Sequence, residues 1–217
     1  MIAPQLLLAA YRQGIFPMAV DDRGTLGWFS PDPRAIIPLD DRFHIPHGLR
    51  RTLKKNRFTV TCDAAFEAVI RACATTRTAG NWISEEIIAS YCELHRLGHA
   101  HSVEVWSICH PERSEGSPRQ TTEILRCAQN DTQGQLVGGL YGVHIGGAFF
   151  GESMFHRATD ASKVALVALV ARLRRQGFAL LDTQWQTPHL RQFGTYEITR
   201  AHYLRRLRAA LALDCRF

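Results

Sequence analysis

Two short runs place polar groups where apolar side chains dominate. The first closes the stretch from 136 to 155, LVGGLYGVHIGGAFFGESMF, in which Glu152 is the lone acid. Apolar, strand-like segments flank glycine pairs there, so Gly151-Glu152-Ser153-Met154-Phe155 sets one carboxylate among bulky neighbours. Gly147 and Gly151 lack a Cβ and would let another backbone come close. The second run, Leu180-Leu181-Asp182-Thr183-Gln184, ends an apolar strand in an acid, a hydroxyl and a carboxamide. Such groups hold and orient a polar substrate by hydrogen bonding.

The elements that must bring these runs together can be read from periodicity. Between them lies an uninterrupted helical pattern, opened by Asp160 or Ser162 as its cap and running through Gln176 to a stop at Gly177. Val164, Leu166, Val167, Leu169 and Val170 make it apolar over most of its surface, which implies burial against a sheet. Strand, helix, strand, with polar groups at the strand ends, is how open α/β sheets usually build a site. Upstream, residues 2 to 14 carry Leu6, Leu7, Ala10 and Tyr11 at helical spacing, and Gly14 ends that helix. Ile15 to Pro46, rich in Pro and Asp, reads as small strands and turns, with Ser30-Pro31-Asp32-Pro33 refusing helix. Residues 47 to 57 form a short basic helix, and Phe58 to Cys62 alternates like a strand. Asp63 is placed to cap a helix through Ala74. Ser84 caps the next, with Ile87, Ile88, Tyr91 and Leu94 on one face and Gly98 as its stop. Ser102 to Trp106 alternates again, and Thr199 to Leu213 is a basic helix. The fold class is α/β.

Composition excludes several classes. A chain of 217 residues and 24.4 kDa can bury a full core. Nowhere does an apolar run approach the ~18 residues that span a bilayer, and the N-terminus lacks a signal-peptide cleavage pattern, so a cytoplasmic protein without membrane partners is expected. The six cysteines (62, 73, 92, 109, 127 and 215) form no C-x-x-C pair and read as free buried thiols. A metal site at Cys109, His110 and Cys127 would have three ligands at unpromising spacing. The net charge of +6 points to an anionic partner. On the basic helix, Arg50, Arg51, Lys54 and Lys55 share a stripe, which by itself is more often a solvated face than a binding one.

Residues 107 to 134 break the pattern: polar, rich in turn formers and without a sustained period, they read as a disordered insertion. Without them Val103-Glu104-Val105-Trp106 would run into Leu136-Val137-Gly138-Gly139 as a hairpin. Residues 108 to 131 resemble a translated dispersed repeat more than an evolved loop.

Five runs taken in order carry a resemblance: Tyr11-Arg12-Gln13-Gly14-Ile15-Phe16-Pro17, Trp28-Phe29-Ser30-Pro31-Asp32-Pro33-Arg34, Leu97-Gly98-His99-Ala100-His101-Ser102-Val103-Glu104, Gly151 to Phe155, and Asp182-Thr183-Gln184. Together they resemble the bacterial leucyl/phenylalanyl-tRNA–protein transferases. The resemblance implies a small N-terminal domain over residues 1 to 33 and an acetyltransferase-like (GNAT) catalytic domain, a mixed sheet flanked by helices, over 34 to 217. It further implies transfer of Leu or Phe from aminoacyl-tRNA to the α-amine of proteins beginning with Arg or Lys, which marks them for degradation. A monomer is expected.

The implied reaction is chemically modest. An aminoacyl ester is already activated, so no ATP, metal or other cofactor is required. Positioning the amine beside the carbonyl can supply ~7–11 kcal/mol. Asp182, with an ordinary carboxylate pKa of ~3.9, is a poor base toward an α-ammonium near ~8, the transfer costing ~5.5 kcal/mol. The expected roles are therefore an Asp182 that orients Gln184 and stabilises developing positive charge, and a Gln184 carbonyl that accepts a hydrogen bond from the attacking amine. Glu152, flanked by Ser153, would bind a cationic amine of a substrate, where a plain ion pair with Arg157 is the structural alternative. Leu140, Met154, Leu166, Leu169 and Leu181 match the family's pocket for the Leu or Phe side chain, and Trp106 a tryptophan that stacks on the terminal adenosine. A second family aromatic falls at Met18 here. The resemblance also turns the basic stripe into a contact for tRNA phosphates.

Other classes fit less well. A CoA-dependent N-acetyltransferase needs a glycine-rich pyrophosphate loop, and Phe155-His156-Arg157-Ala158-Thr159-Asp160 has no glycine. A non-catalytic or insertion-damaged tRNA-binding homologue remains the other alternative.

Overall fold

The computed structural model describes residues 1–21, 23–75, 82–107 and 134–217. Apart from Ser107 and Gly134, the expected disorder of 107 to 134 and the candidate ligands Cys109, His110 and Cys127 lie outside them. In chain order the elements are α1 (Pro4–Arg12), β1 (Phe16–Ala19), β2 (Leu26–Phe29), β3 (Arg34–Ile37), α2 (His47–Lys54), β4 (Phe58–Cys62), α3 (Phe66–Thr75) and α4 (Glu85–Arg96). They continue as β5 (Ala100–Ser107), β6 (Leu136–Ile145), β7 (Ala148–His156), α5 (Ala161–Arg175), β8 (Leu180–Gln184), α6 (Pro188–Arg191), β9 (Tyr196–Ile198) and α7 (Arg200–Leu211).

A seven-stranded sheet in the order β4-β5-β6-β7-β8-β3-β9 organises the molecule, and β1 and β2 pair as a separate hairpin. Neighbours run antiparallel except β7 and β8, which are parallel because α5 crosses over between them. As expected, β5 and β6 pair antiparallel with Trp106 opposite Leu136. Each face of the sheet carries its own apolar core. Leu7, Tyr11, Ile70, Ile88, Tyr91 and Leu207 pack on one face, bringing in α1, α3, α4 and α7. On the other, α2 and α5 contribute Leu49, Val164, Leu166, Leu169, Val170 and Leu173. This is the α/β class that the periodicity implies and the mixed, helix-flanked sheet that the resemblance implies.

Local departures have physical causes. Ser84 caps α4 as read, its Oγ accepting from the Ile87 N–H at 3.3 Å, and Thr199 does the same for α7 through His202. Asp63 does not cap α3. With φ of 58° its carboxylate turns to the Ser102 N–H (2.9 Å) and the His101 ring (2.8 Å). Buried Glu104 takes over, accepting from the Ala64 and Ala65 N–H groups at 3.4 Å. Nor does Asp160 or Ser162 cap α5. Ser162 lies buried inside the helix, and Asp160 spends its side chain on the Thr52 hydroxyl and the Lys163 ammonium, each at 3.0 Å. That bond ties the start of α5 to basic helix α2. Among the described cysteines Cys73 is buried as a free thiol, but Cys62, Cys92 and Cys215 are half-buried, because they fall at the margins of the cores.

Candidate functional site

Two bulges shape the sheet where the polar runs lie. Along β6 and β7, Tyr141 pairs with Ser153 and Gly142 with Gly151, leaving Glu152 as the extra residue. Along β3 and β8, Ala35 pairs with Gln184 and Ile36 with Asp182, leaving Thr183 extra. A bulge re-aims a side chain and ends regular pairing. Consistent with that, β7 and β8 pair from Ala148 and Leu180 to Phe150 and Asp182 and no further, although β7 continues to His156. Beyond this point the parallel strands diverge.

A cavity of about 550 Å³ fills the gap. Leu140, Met154, Leu166, Leu169 and Leu181, which the resemblance implies as pocket residues, line its α5 side. Phe16, Met18, Trp82 and Tyr141 line the other side, so the slot passes between the diverging strands from one core to the other. Gly151, Glu152, Ser153 and Gln184 border it midway. Gly147 makes the expected close approach, a Cβ there falling 3.1 Å from the Ala210 carbonyl. Gly151 does not, since a Cβ would meet its nearest neighbour, the Asp182 carbonyl, at an ordinary 3.4 Å.

Asp182 and Gln184 occupy different depths. Asp182 is wholly buried, receives Arg34 through Nε at 2.9 Å and Nη2 at 2.6 Å, and accepts from the Tyr203 hydroxyl at 2.7 Å. Its Oδ1 also accepts the Gln184 backbone N–H at 2.9 Å, holding Gln184 in a left-handed conformation with φ of 59°. That conformation costs roughly 1–2 kcal/mol for a residue with a Cβ. Asp182 does not border the cavity; it stands behind Gln184. Asp182 thus sits behind the cavity wall, its carboxylate turned to Arg34 and Tyr203.

Gln184 donates through Nε2 to Glu152 Oε1 at 3.1 Å, which leaves the amide oxygen to accept from a ligand. Behind Glu152 stand the hydroxyls of Tyr11 and Tyr91, hydrogen-bonded to each other in a short contact. Burial lifts the Glu152 carboxyl to about 8; hydrogen bonding from Tyr11 and Tyr91 and the charge of Arg34 pull it down, while Asp182 adds to the rise. Burial also drives Tyr11 and Tyr91 well above the ordinary phenol range. The alternative pairing with Arg157 is absent: Arg157 donates to the Leu136 carbonyl at 3.2 Å and lies over the Phe155 ring. Ser153 Oγ is buried without a partner beside the cavity.

Trp106 is elsewhere. It is the penultimate residue of β5, opposite Thr59, donates its indole N–H to Thr61 at 2.8 Å and does not line the cavity. Two other tryptophans line the cavity: Trp82, buried at 8% exposure, and Trp185, 43% exposed and edge-on to Phe16 at 5.3 Å. Sequence reading missed both, together with Arg34, Tyr203, Tyr11 and Tyr91. For Arg34 a signal existed, since a cation opening the apolar run Ala35-Ile36-Ile37 must find a buried acid. Arg50, Arg51, Lys54 and Lys55 are all exposed, Lys55 standing just past the end of α2.

Known proteins resemble this chain in sequence and in fold. A family model for leucyl/phenylalanyl-tRNA protein transferase matches residues 36–110 and 123–208, and a model for the N-terminal domain of that family matches 1–32. The leucyl/phenylalanyl-tRNA–protein transferase of Akkermansia muciniphila is 51% identical over 211 residues, spanning 97% of this chain and 96% of the relative. That of Paramagnetospirillum magneticum is 52% identical over 214 residues, spanning 97% and 90%. Among solved structures, FemX superimposes with a TM-score of 0.52 at 13% identity, over 89% of this chain and 66% of that one, a likeness of fold alone. The chain belongs to the leucyl/phenylalanyl-tRNA protein transferase family.

Proposed function

We propose that this chain moves a leucyl or phenylalanyl group from aminoacyl-tRNA to the α-amine of proteins beginning with Arg or Lys, acting in the cytoplasm as a monomer, with the slot between β7 and β8 as the meeting place of the two substrates. The observation that carries the reading is an apolar pocket whose walls end at a polar pair, Glu152 and Gln184. The amino acid side chain enters among Leu140, Met154, Leu166, Leu169 and Leu181, and the ester carbonyl then lies at the polar pair. Such a pocket separates substrates by roughly 1–3 kcal/mol per methylene. The Gln184 amide oxygen accepts from the incoming amine. Asp182 is a positioning residue: with both oxygens engaged by Arg34 and Tyr203 it fixes the Gln184 backbone and leaves no lone pair pointed at substrate. Ser153 Oγ offers a further hydrogen bond beside the carbonyl.

For the terminal base, the ring supply along the cavity favours Trp82 and Trp185 over Trp106. Phosphates of the acceptor stem then run along the exposed stripe of Arg50, Arg51, Lys54 and Lys55, and the Thr52–Asp160–Lys163 link keeps that stripe in register with the slot.

Transfer of labelled leucine from charged tRNA to a peptide starting with Arg, against the same peptide starting with Ala, tests this. Strong labelling of the Arg peptide alone is expected. Equal labelling would remove the acceptor preference, and no labelling of either would remove the activity.

A further inference from the structure

Resting on the transfer reaction proposed above, we propose that Glu152 is a catalytic residue and carries protons between the attacking amine and the departing tRNA oxygen, with the Tyr11–Tyr91 pair as its fixed backing. Four observations converge on it. Glu152 is the bulged residue of β7, aimed into the slot at the level where the strands diverge. It is hydrogen-bonded to Gln184, the residue placed to receive the amine, at 3.1 Å. Among the described residues no ion pair uses it up, whereas the other acid of the site, Asp182, is committed to Arg34. It is also shielded from bulk water, at 8% exposure.

The groups facing it come from several elements: Tyr11 of α1, Tyr91 of α4, Asp182 and Gln184 of β8 and, at longer range, Arg34 of β3. Tyr203 of α7 reaches it through the shared Asp182. Their balance leaves the carboxyl at about 8. An α-ammonium titrates near ~8 as well, so a proton passes between the two almost without cost. Toward an ordinary carboxylate the same step is unfavourable by about 10⁴-fold.

The step balances as follows. The Glu152 carboxylate takes a proton from the acceptor's α-ammonium, freeing the nitrogen lone pair. That pair attacks the ester carbon, the N–C bond forms and the carbonyl electrons move to oxygen. As the carbonyl re-forms, the C–O bond to the ribose breaks, and protonated Glu152 gives its proton to the departing ribose oxygen. The carboxylate then takes the surplus proton from the new amide nitrogen and later releases it to water. One proton is released per peptide bond.

The experiment is single-turnover transfer with bound charged tRNA and an Arg peptide, between pH 6 and pH 9.5, for wild type, Glu152→Gln, Glu152→Asp and Tyr11→Phe. At pH 6.5 the Gln variant should be slower by ~100-fold, within the usual range for a lost acid–base group. By pH 9.5, where the acceptor amine is already neutral, its deficit should narrow to under ~10-fold. The Asp variant should keep the wild-type profile at reduced rate. A Gln deficit that is constant with pH would overturn the role and leave the transfer reaction standing; no transfer by wild type would overturn both. Should the Gln variant fail to fold, Tyr11→Phe decides. Loss of that hydroxyl removes a hydrogen bond that favours the charged form, so the acid limb of the profile should move to higher pH. An unmoved limb would overturn the proposal.

Discussion

Arg34 and Asp182 form a forked, fully buried ion pair, Nε to Oδ1 at 2.9 Å and Nη2 to Oδ2 at 2.6 Å, that clamps β3 to β8 directly behind Gln184. Arg34 also lies between the rings of Phe16 and Tyr203, at 4.9 and 4.6 Å from their centroids. Breaking a buried pair from one side leaves an uncompensated charge, at about 3–5 kcal/mol. Arg34→Met should therefore destabilise the fold by that order in chemical denaturation, and so should Asp182→Asn, since the amide offers one accepting oxygen where Tyr203 and the Gln184 N–H use two, and Arg34 is left without a counter-charge. Both should lower the transfer rate more than they raise KM for the peptide, because Gln184 loses its fixed conformation. A change confined to KM would show that Asp182 binds the acceptor instead.

Glu152 makes stability depend on pH. Its carboxyl sits at about 8 in the folded chain, against ~4.3 in an unfolded one. Between those values the folded state binds more protons, so its contribution to stability is lost as pH rises through that window. Glu152→Gln removes the burden and should be more stable than wild type at pH 9, by up to roughly 5 kcal/mol or about 10–20 °C in Tm, with little difference at pH 5. Thermal melts at both pH values check this; equal differences at the two would show that Glu152 is ionised throughout.

Pocket volume should set amino acid preference. Met154 lines the α5 side of the slot and is only half-buried. Met154→Phe should reduce transfer of Phe more than of Leu, by about ten-fold in relative kcat/KM, equivalent to ~1.4 kcal/mol. Competition between the two charged tRNAs measures the ratio directly, and an unchanged ratio would place the side chain in another region of the cavity.

At the mouth, Trp185→Ala should weaken binding of charged tRNA by roughly ten-fold, as expected for loss of one base-stacking ring. Trp106→Ala removes the hydrogen bond to Thr61 and should lower Tm while leaving tRNA affinity within about two-fold. Filter binding of both variants separates the two tryptophans; the reverse order would restore Trp106 as the platform.

The basic stripe has a salt signature. Reversing Arg51 and Lys54 to Glu should lower tRNA affinity and flatten its dependence on salt, the log–log slope falling by about one for each phosphate that is no longer neutralised. Titrations at several salt concentrations test it, and an unchanged slope would leave α2 as a solvated face.

Much of this molecule is written locally. Apolar spacing in residues 161–175 and glycine stops at Gly14, Gly98 and Gly177, each with positive φ, define helices without outside help. By the same apolar patterning Leu140, Leu166, Leu169 and Leu181 read from the chain alone only as core, and it was the family resemblance that named them as pocket residues. A polar side chain has no such period. Whether Asp63 caps a helix or binds a histidine depends on what else comes near, and Glu104, from the strand paired beside it, took the cap.

The amino-acid order alone determined most elements and set Glu152, Asp182 and Gln184 apart as polar groups among apolar neighbours, because hydrophobic period and chain stiffness act over a few residues; Glu152, expected at a strand end, lies in the middle of β7. Tertiary structure decided which of those groups border the slot. Arg34 and Asp182 are 148 residues apart in sequence, and their pairing withdraws one acid from the slot. The bulges at Glu152 and Thr183 separate strands that would otherwise pair to their ends. Such long-range pairing selects among contacts that the local sequence leaves equally open, since burial of a charge is tolerated only where a distant partner arrives to neutralise it.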